Sequence, residues 1–168
     1  LLKQDPLEEA KKFSAILSRH APFRLSTWLL QYDVAIRRKK ALLAMQALFK
    51  GRALDPTCKN GELFTRIVDY ADKCSPEDDS HDAVKEILKG ELPKLYDGKE
   101  LSQFVQDAAA SAKSDASTNL TMRIAIAKAF VKTKTGSTSD AANLIVDQGI
   151  NGRGVSVESA KAALACLK

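Results

Sequence analysis

Residues 24–56 limit what this chain can fold into more than any other stretch. Leu25, Trp28, Leu29, Tyr32 and Ile36 recur at helical spacing. Four consecutive cations, Arg37, Arg38, Lys39 and Lys40, then interrupt the pattern. Beyond them Leu42, Met45, Phe49 and Ala53 form one apolar stripe, and Ala41, Ala44 and Leu48 form a second. A helix apolar on two flanks needs a neighbour on each, as a helix inside a stacked array has. The pattern therefore predicts a helix over 24–37, a basic turn, and a second helix over 40–54.

The spacing adds a repeat. Tetratricopeptide units are helix pairs of about 34 residues with an early Trp, a small Ala on the second helix and a closing Pro. Trp28, Ala44 and Pro56 follow that order, sixteen and twelve residues apart. Ala10 and Pro22 repeat the Ala-to-Pro interval, each 34 residues upstream of its counterpart. The Gly-x-x-Tyr part of the first helix is missing, since Tyr32 and Ala35 stand there. The expected architecture is all-α. It comprises antiparallel helix pairs of degenerate tetratricopeptide-like repeats, about nine helices in total, forming the end section of a right-handed solenoid.

The remaining chain reads as further helices. Asp5-Pro6-Leu7-Glu8 is a helix start, with Asp as cap, Pro at the first helical position and acids in the first turn. The helix it opens carries Ala10, Phe13 and Leu17 on one face and closes before Pro22. Asn60 or Thr57 caps a helix with Leu63, Phe64, Ile67, Val68 and Ala71 as its apolar face. A polar connector at 75–81 separates it from a helix running from about Asp82 toward Pro93. Further helices are expected near 99–113 and 120–133, then a short one capped by Ser139 or Thr138. Glycines at 149, 152 and 154 make a turn, and Ser156 opens the last helix. The region is read as one helical body, 1–168, with repeat-like pairs over 1–74 and a helical bundle over 75–168. A chain opening Leu1-Leu2-Lys3-Gln4 without an initiator Met is read as part of a longer protein.

Charge is uneven although the formal net value is only +5. Residues 1–56 hold 11 basic and 5 acidic side chains, 57–112 hold 7 and 12, and 113–168 hold 8 and 4. Such asymmetry suits a body that meets an anionic surface at one face and a basic one at another. The turn at Arg37, Arg38, Lys39 and Lys40 is the candidate contact for a phosphate backbone, electrostatic and blind to sequence. The chemistry of bond making finds no support. His20 and His81 each lie among turn residues, and the one Gly-Lys pair, Gly98-Lys99, is followed by Glu100 where a phosphate loop needs Ser or Thr. Cys58, Cys74 and Cys166 have no Cys-x-x-Cys spacing and are read as free thiols of a reducing, cytoplasmic compartment. No apolar run reaches the roughly 18 residues of a membrane span. No catalytic residue, metal or cofactor is expected, and the chain alone is expected to be monomeric.

Several segments resemble one family. These are Asp5-Pro-Leu-Glu-Glu-Ala10-Lys-Lys-Phe13, Arg37-Arg-Lys-Lys-Ala-Leu-Leu-Ala-Met-Gln-Ala47 leading to Leu54-Asp55, and Met122-Arg-Ile-Ala-Ile-Ala127 before a short helix over 140–146. They are similar to the carboxy-terminal part of the large auxiliary subunit of the N-terminal acetyltransferase A complex. The resemblance implies a non-catalytic scaffold of tetratricopeptide type. Its implied partners are the catalytic acetyltransferase subunit, a regulator like huntingtin-interacting protein K, and the ribosome. The alternatives are a helical-repeat module binding RNA or ribosomes, and a generic tetratricopeptide-like adaptor between proteins.

Overall fold

A computed structural model describes residues 5–73, 82–149 and 155–167. Every regular element among them is helical: nine α-helices and one 3₁₀ helix, with no strand. The connector at 75–81, residues 150–154 of the glycine turn and Cys74 lie outside the described residues, whereas Gly149, expected in that turn, is the last residue of a helix.

Local chemistry sets the helix limits. α1 (Pro6–His20) starts where Asp5 Oδ1 accepts from the Leu7 N–H at 2.9 Å, with Pro6 in the first turn. α2 (Leu25–Arg37) and α3 (Ala41–Leu54) are separated by the basic turn, in which Lys39 takes the left-handed conformation at φ 56°. Asn60 caps α4 (Gly61–Lys73), its side-chain oxygen accepting from the Glu62 and Leu63 N–H groups at 3.0 and 3.1 Å. α5 (Asp82–Glu91) runs into the 3₁₀ helix Leu92–Tyr96, which absorbs Pro93. α6 spans Leu101–Ser114 and α7 spans Leu120–Thr133, the latter capped by Asn119. α8 (Thr138–Gly149) is capped one residue before the positions the sequence suggests. Ser137 Oγ accepts from the Asp140 N–H at 3.1 Å while Asp140 bonds back to Ser137. A reciprocal Ser156–Ser159 box opens α9 (Val157–Cys166).

The chain divides into two compact units. One is Leu1–Thr57 with Cys74–Leu95; the other is Cys58–Lys73 with Tyr96–Lys168. α4 belongs to the second unit, where it packs on α7. In the first unit α1 packs on α2, and α2 folds back on α3. The α1–α2 turn is closed by two side chains of α2: Thr27 donates to Ala21 O at 2.9 Å and the Trp28 indole to Pro22 O at 2.7 Å. The face of α1 turned to the protein is not the expected Ala10–Phe13–Leu17 line. Ser14 is its buried residue, with Leu7, Ala10 and Ser18 half-buried, while Phe13, Ile16 and Leu17 face outward.

In the second unit α7 is the centre, packed by α4, α6, α8 and α9. That explains why α7 is buried nearly all round, with only Thr121, Lys128 and Val131 exposed along it. Leu63, Phe64, Ile67 and Tyr70 of α4 have no exposed surface, and Phe64 stacks on Phe104 of α6 at 5.3 Å. Each such apolar side chain contributes roughly 1.5–3 kcal/mol on burial. Gly61 lets α4 approach the α7 backbone closely, and Lys132 of α7 bridges Asp69 at 2.6 Å and Asp72 at 3.1 Å on α4.

Candidate interaction surface

The five residues that carry the repeat spacing sit in related places. Pro22 and Pro56 each lie two residues beyond the end of a helix, α1 and α3 respectively. The helix-closing bonds Ala21 N–H to Leu17 O at 2.8 Å and Asp55 N–H to Gly51 O at 3.0 Å stand at the same 34-residue interval. Ala44 is completely buried in α3, Ala10 and Trp28 are half-buried, and Pro56 is exposed.

The basic turn does not present four equal charges. Arg38 reaches back to Glu8 of α1, leaving its side chain only 16% exposed, and so ties the first two helices together. That guanidinium holds the Glu8 carboxyl below its ordinary range, with Lys11 adding to the effect. Arg37 donates to Asp33 O at 3.1 Å along its own helix. Lys39 and Lys40 remain exposed, and no carboxylate pairs with either among the described residues. Sequence spacing shows a run of cations; it does not show which of them another helix will take.

Next to this turn, α3 lines a groove of about 410 Å³ with Leu42, Leu43, Met45, Gln46, Phe49 and Lys50. Glu91, the last residue of α5, forms part of its wall and bonds Lys94 at 2.7 Å. Leu43 is 46% exposed on this surface. Two further apolar stripes face outward: Phe13, Ile16 and Leu17 on α1, and Val157, Ala160, Leu164 and Leu167 on and just past α9.

One polar group in the second unit gives no signal in sequence. Arg123, on α7, is 2% exposed and reads from spacing as an ordinary surface cation. Its Nε donates to Thr118 O and its Nη2 to Asp115 O, both at 3.2 Å, so it binds the carbonyls of the α6–α7 loop. Its charge also helps hold Asp115 below its ordinary range, an effect led by the hydrogen bonds from Ser117.

Among the described residues no three His, Cys, Asp or Glu side chains are placed to hold a metal ion, and no helix is long and apolar enough to cross a membrane. His20 is exposed at the last turn of α1, Cys58 is buried, and Cys166 is half-buried.

Parts of the chain are similar to known auxiliary subunits of the N-terminal acetyltransferase A complex. The chain is 29% identical to N-alpha-acetyltransferase 16, NatA auxiliary subunit, of Mus musculus over 103 residues, which is 61% of this chain and 12% of that protein. The Homo sapiens protein of the same name is 28% identical over 104 residues, 62% of this chain and again 12% of the relative. An auxiliary subunit of the N-terminal acetyltransferase A complex from Arabidopsis thaliana is 42% identical over 45 residues, 27% of this chain and 5% of its own length. The chain therefore spans about an eighth of the mammalian relatives it matches. No family model matches it.

Proposed function

We propose that this chain serves as a non-catalytic helical scaffold region of an N-terminal acetyltransferase A auxiliary subunit. It supports complex assembly, regulator binding and ribosome association during co-translational N-terminal acetylation. The observation that carries the reading is the similarity over 61% of the chain to a NatA auxiliary subunit. The all-helical architecture is consistent with it, because surfaces and helix ends are what such a body offers a partner. In this reading the partners are the catalytic acetyltransferase subunit, a regulator like huntingtin-interacting protein K, and the ribosome, and the compartment is the cytoplasm.

Co-expression with the catalytic subunit from the same source, followed by size-exclusion chromatography, tests the proposal. Co-elution at fixed stoichiometry is the expected result. Failure to associate with catalytic subunit, regulator and ribosomes alike overturns it, as does acetyl transfer by the chain on its own.

A second reading, a helical module that binds RNA or ribosomes directly, is favoured by the exposed Lys39 and Lys40. Changing only these two to Glu leaves the Arg38–Glu8 tie in place. If they touch phosphates, ribosome affinity falls and the salt slope flattens by about one unit per lost contact.

A further inference from the structure

We infer that the α3 groove seats an acidic amphipathic helix of a partner protein. The inference rests on the scaffold reading and names the chemistry of one partner surface.

The apolar part of the lining is Leu42, Leu43, Met45 and Phe49, with the exposed Gln46 among them. Methionine and leucine adapt to irregular apolar shapes, and about 410 Å³ accommodates several side chains at once. From Leu42 to Phe49 the helix rises about 10 Å, which matches two turns of a bound helix presenting apolar residues at i, i+3, i+4 and i+7. The partner's charge follows from the ends of the groove. Lys39 and Lys40 lead into it ahead of Leu42, and Lys50 follows Phe49. No carboxylate pairs with these three lysines among the described residues. The one acid on the wall, Glu91, is already held by Lys94. A helix with Glu or Asp beside its apolar stripe would meet cations at both ends, whereas a basic helix would be repelled. Nucleic acid fits less well. A phosphate backbone gains nothing from an aliphatic floor, and the single aromatic ring there, Phe49, is half-buried rather than offered for stacking.

The test is fluorescence anisotropy of the full chain against two labelled helical peptides of about five turns. They share one apolar stripe and differ only in carrying Glu or Lys beside it; a labelled oligouridylate is the third probe. The Glu peptide is expected to bind at least about ten-fold more tightly than the Lys peptide. Leu43→Asp, at a position 46% exposed, is expected to weaken it about ten-fold with the far-UV helical spectrum unchanged, and Lys50→Glu to erase the preference. Equal binding of both peptides, binding of neither, or indifference to both substitutions overturns the inference. Tighter binding of the oligouridylate, or a Leu43-dependent self-association in sedimentation velocity, overturns it in favour of RNA or a second copy. Assembly with the catalytic subunit is read by co-elution and the groove by peptide binding, so failure of the one is distinguishable from failure of the other.

Discussion

Gly61→Ala is the sharpest test of how the second unit is packed. Gly61 begins α4 beside the first turn of α7, and a Cβ added there would lie 2.7 Å from Thr121 O and 2.9 Å from both Met122 Cα and N. Ordinary approach begins near 3.4 Å, and all three atoms are backbone, so no side-chain rotation relieves the overlap. The two helices must part by roughly half an ångström at this end, and a gap of that size forfeits about a quarter of the dispersion energy across the affected contacts. Overpacking of this kind costs about 1–3 kcal/mol. Alanine returns at most about 1 kcal/mol through its lower backbone entropy, less at a first helical position. The net expectation is a loss of about 1–2 kcal/mol.

Urea unfolding followed by far-UV circular dichroism reads this loss as a midpoint lowered by about 1 M, for a slope of about 1–2 kcal/mol/M. Gly90→Ala is the matched control. Its Cβ would meet nothing within 4 Å and it lies inside α5, so the same substitution should stabilise, by up to about 1 kcal/mol. Opposite signs at two glycines separate close approach from helix propensity. A Gly61→Ala protein as stable as the parent would refute the tight α4–α7 contact.

Two further outcomes follow from polar groups. Arg123→Met keeps most of the side-chain volume but removes the donors to Asp115 O and Thr118 O, leaving carbonyls of the α6–α7 loop without them. A loss of about 3 kcal/mol is expected by the same urea measurement, and a neutral result would mean that the carbonyls find other donors. The Asp140 carboxyl is held below its ordinary 3.8 first by the Ser137 hydroxyl and then by the Ser137 backbone N–H. Because the folded value is depressed, the stability this group lends is complete above 3.8 and is lost as pH falls through the lower folded value. Ser137→Ala should therefore raise the Asp140 value toward 3.8 in a carboxyl carbon NMR titration; no movement would remove the hydroxyl as the cause.

What could be read in the sequence was what depends on neighbours along the chain. The Asp5 cap, the break at 37–40 and both ends of α7 are local events, decided by a side chain reaching a backbone group a few residues away or by the loss of helical period. The all-helical architecture follows from the same period repeated. The positions of the two prolines relative to α1 and α3 are likewise local, since each stands two residues past a helix end.

What was not legible depends on pairings across tens of residues. Amphipathicity marks a stripe on α1 but cannot say which flank receives a neighbour, and α2 took the side of Ser14 and left Phe13 outside, 64% exposed. Arg38 belongs to the basic run by sequence and to Glu8 by structure, thirty residues away. Arg123 looks like any helical cation until the α6–α7 loop folds over it. These cases share a physical cause. A period of 3.6 residues fixes the direction of each side chain relative to its own helix axis, while burial is fixed by where the next axis lies. The groove on α3 belongs to the second kind of information. Leu42, Met45 and Phe49 were visible as one of two stripes, but that Leu43 stays exposed beside them and that Glu91, held by Lys94, forms a wall depend on where the neighbouring helices lie. A partner chosen by that surface must complement its apolar lining and its charge at once, which is why reversing charge beside a constant apolar stripe is the measurement that discriminates.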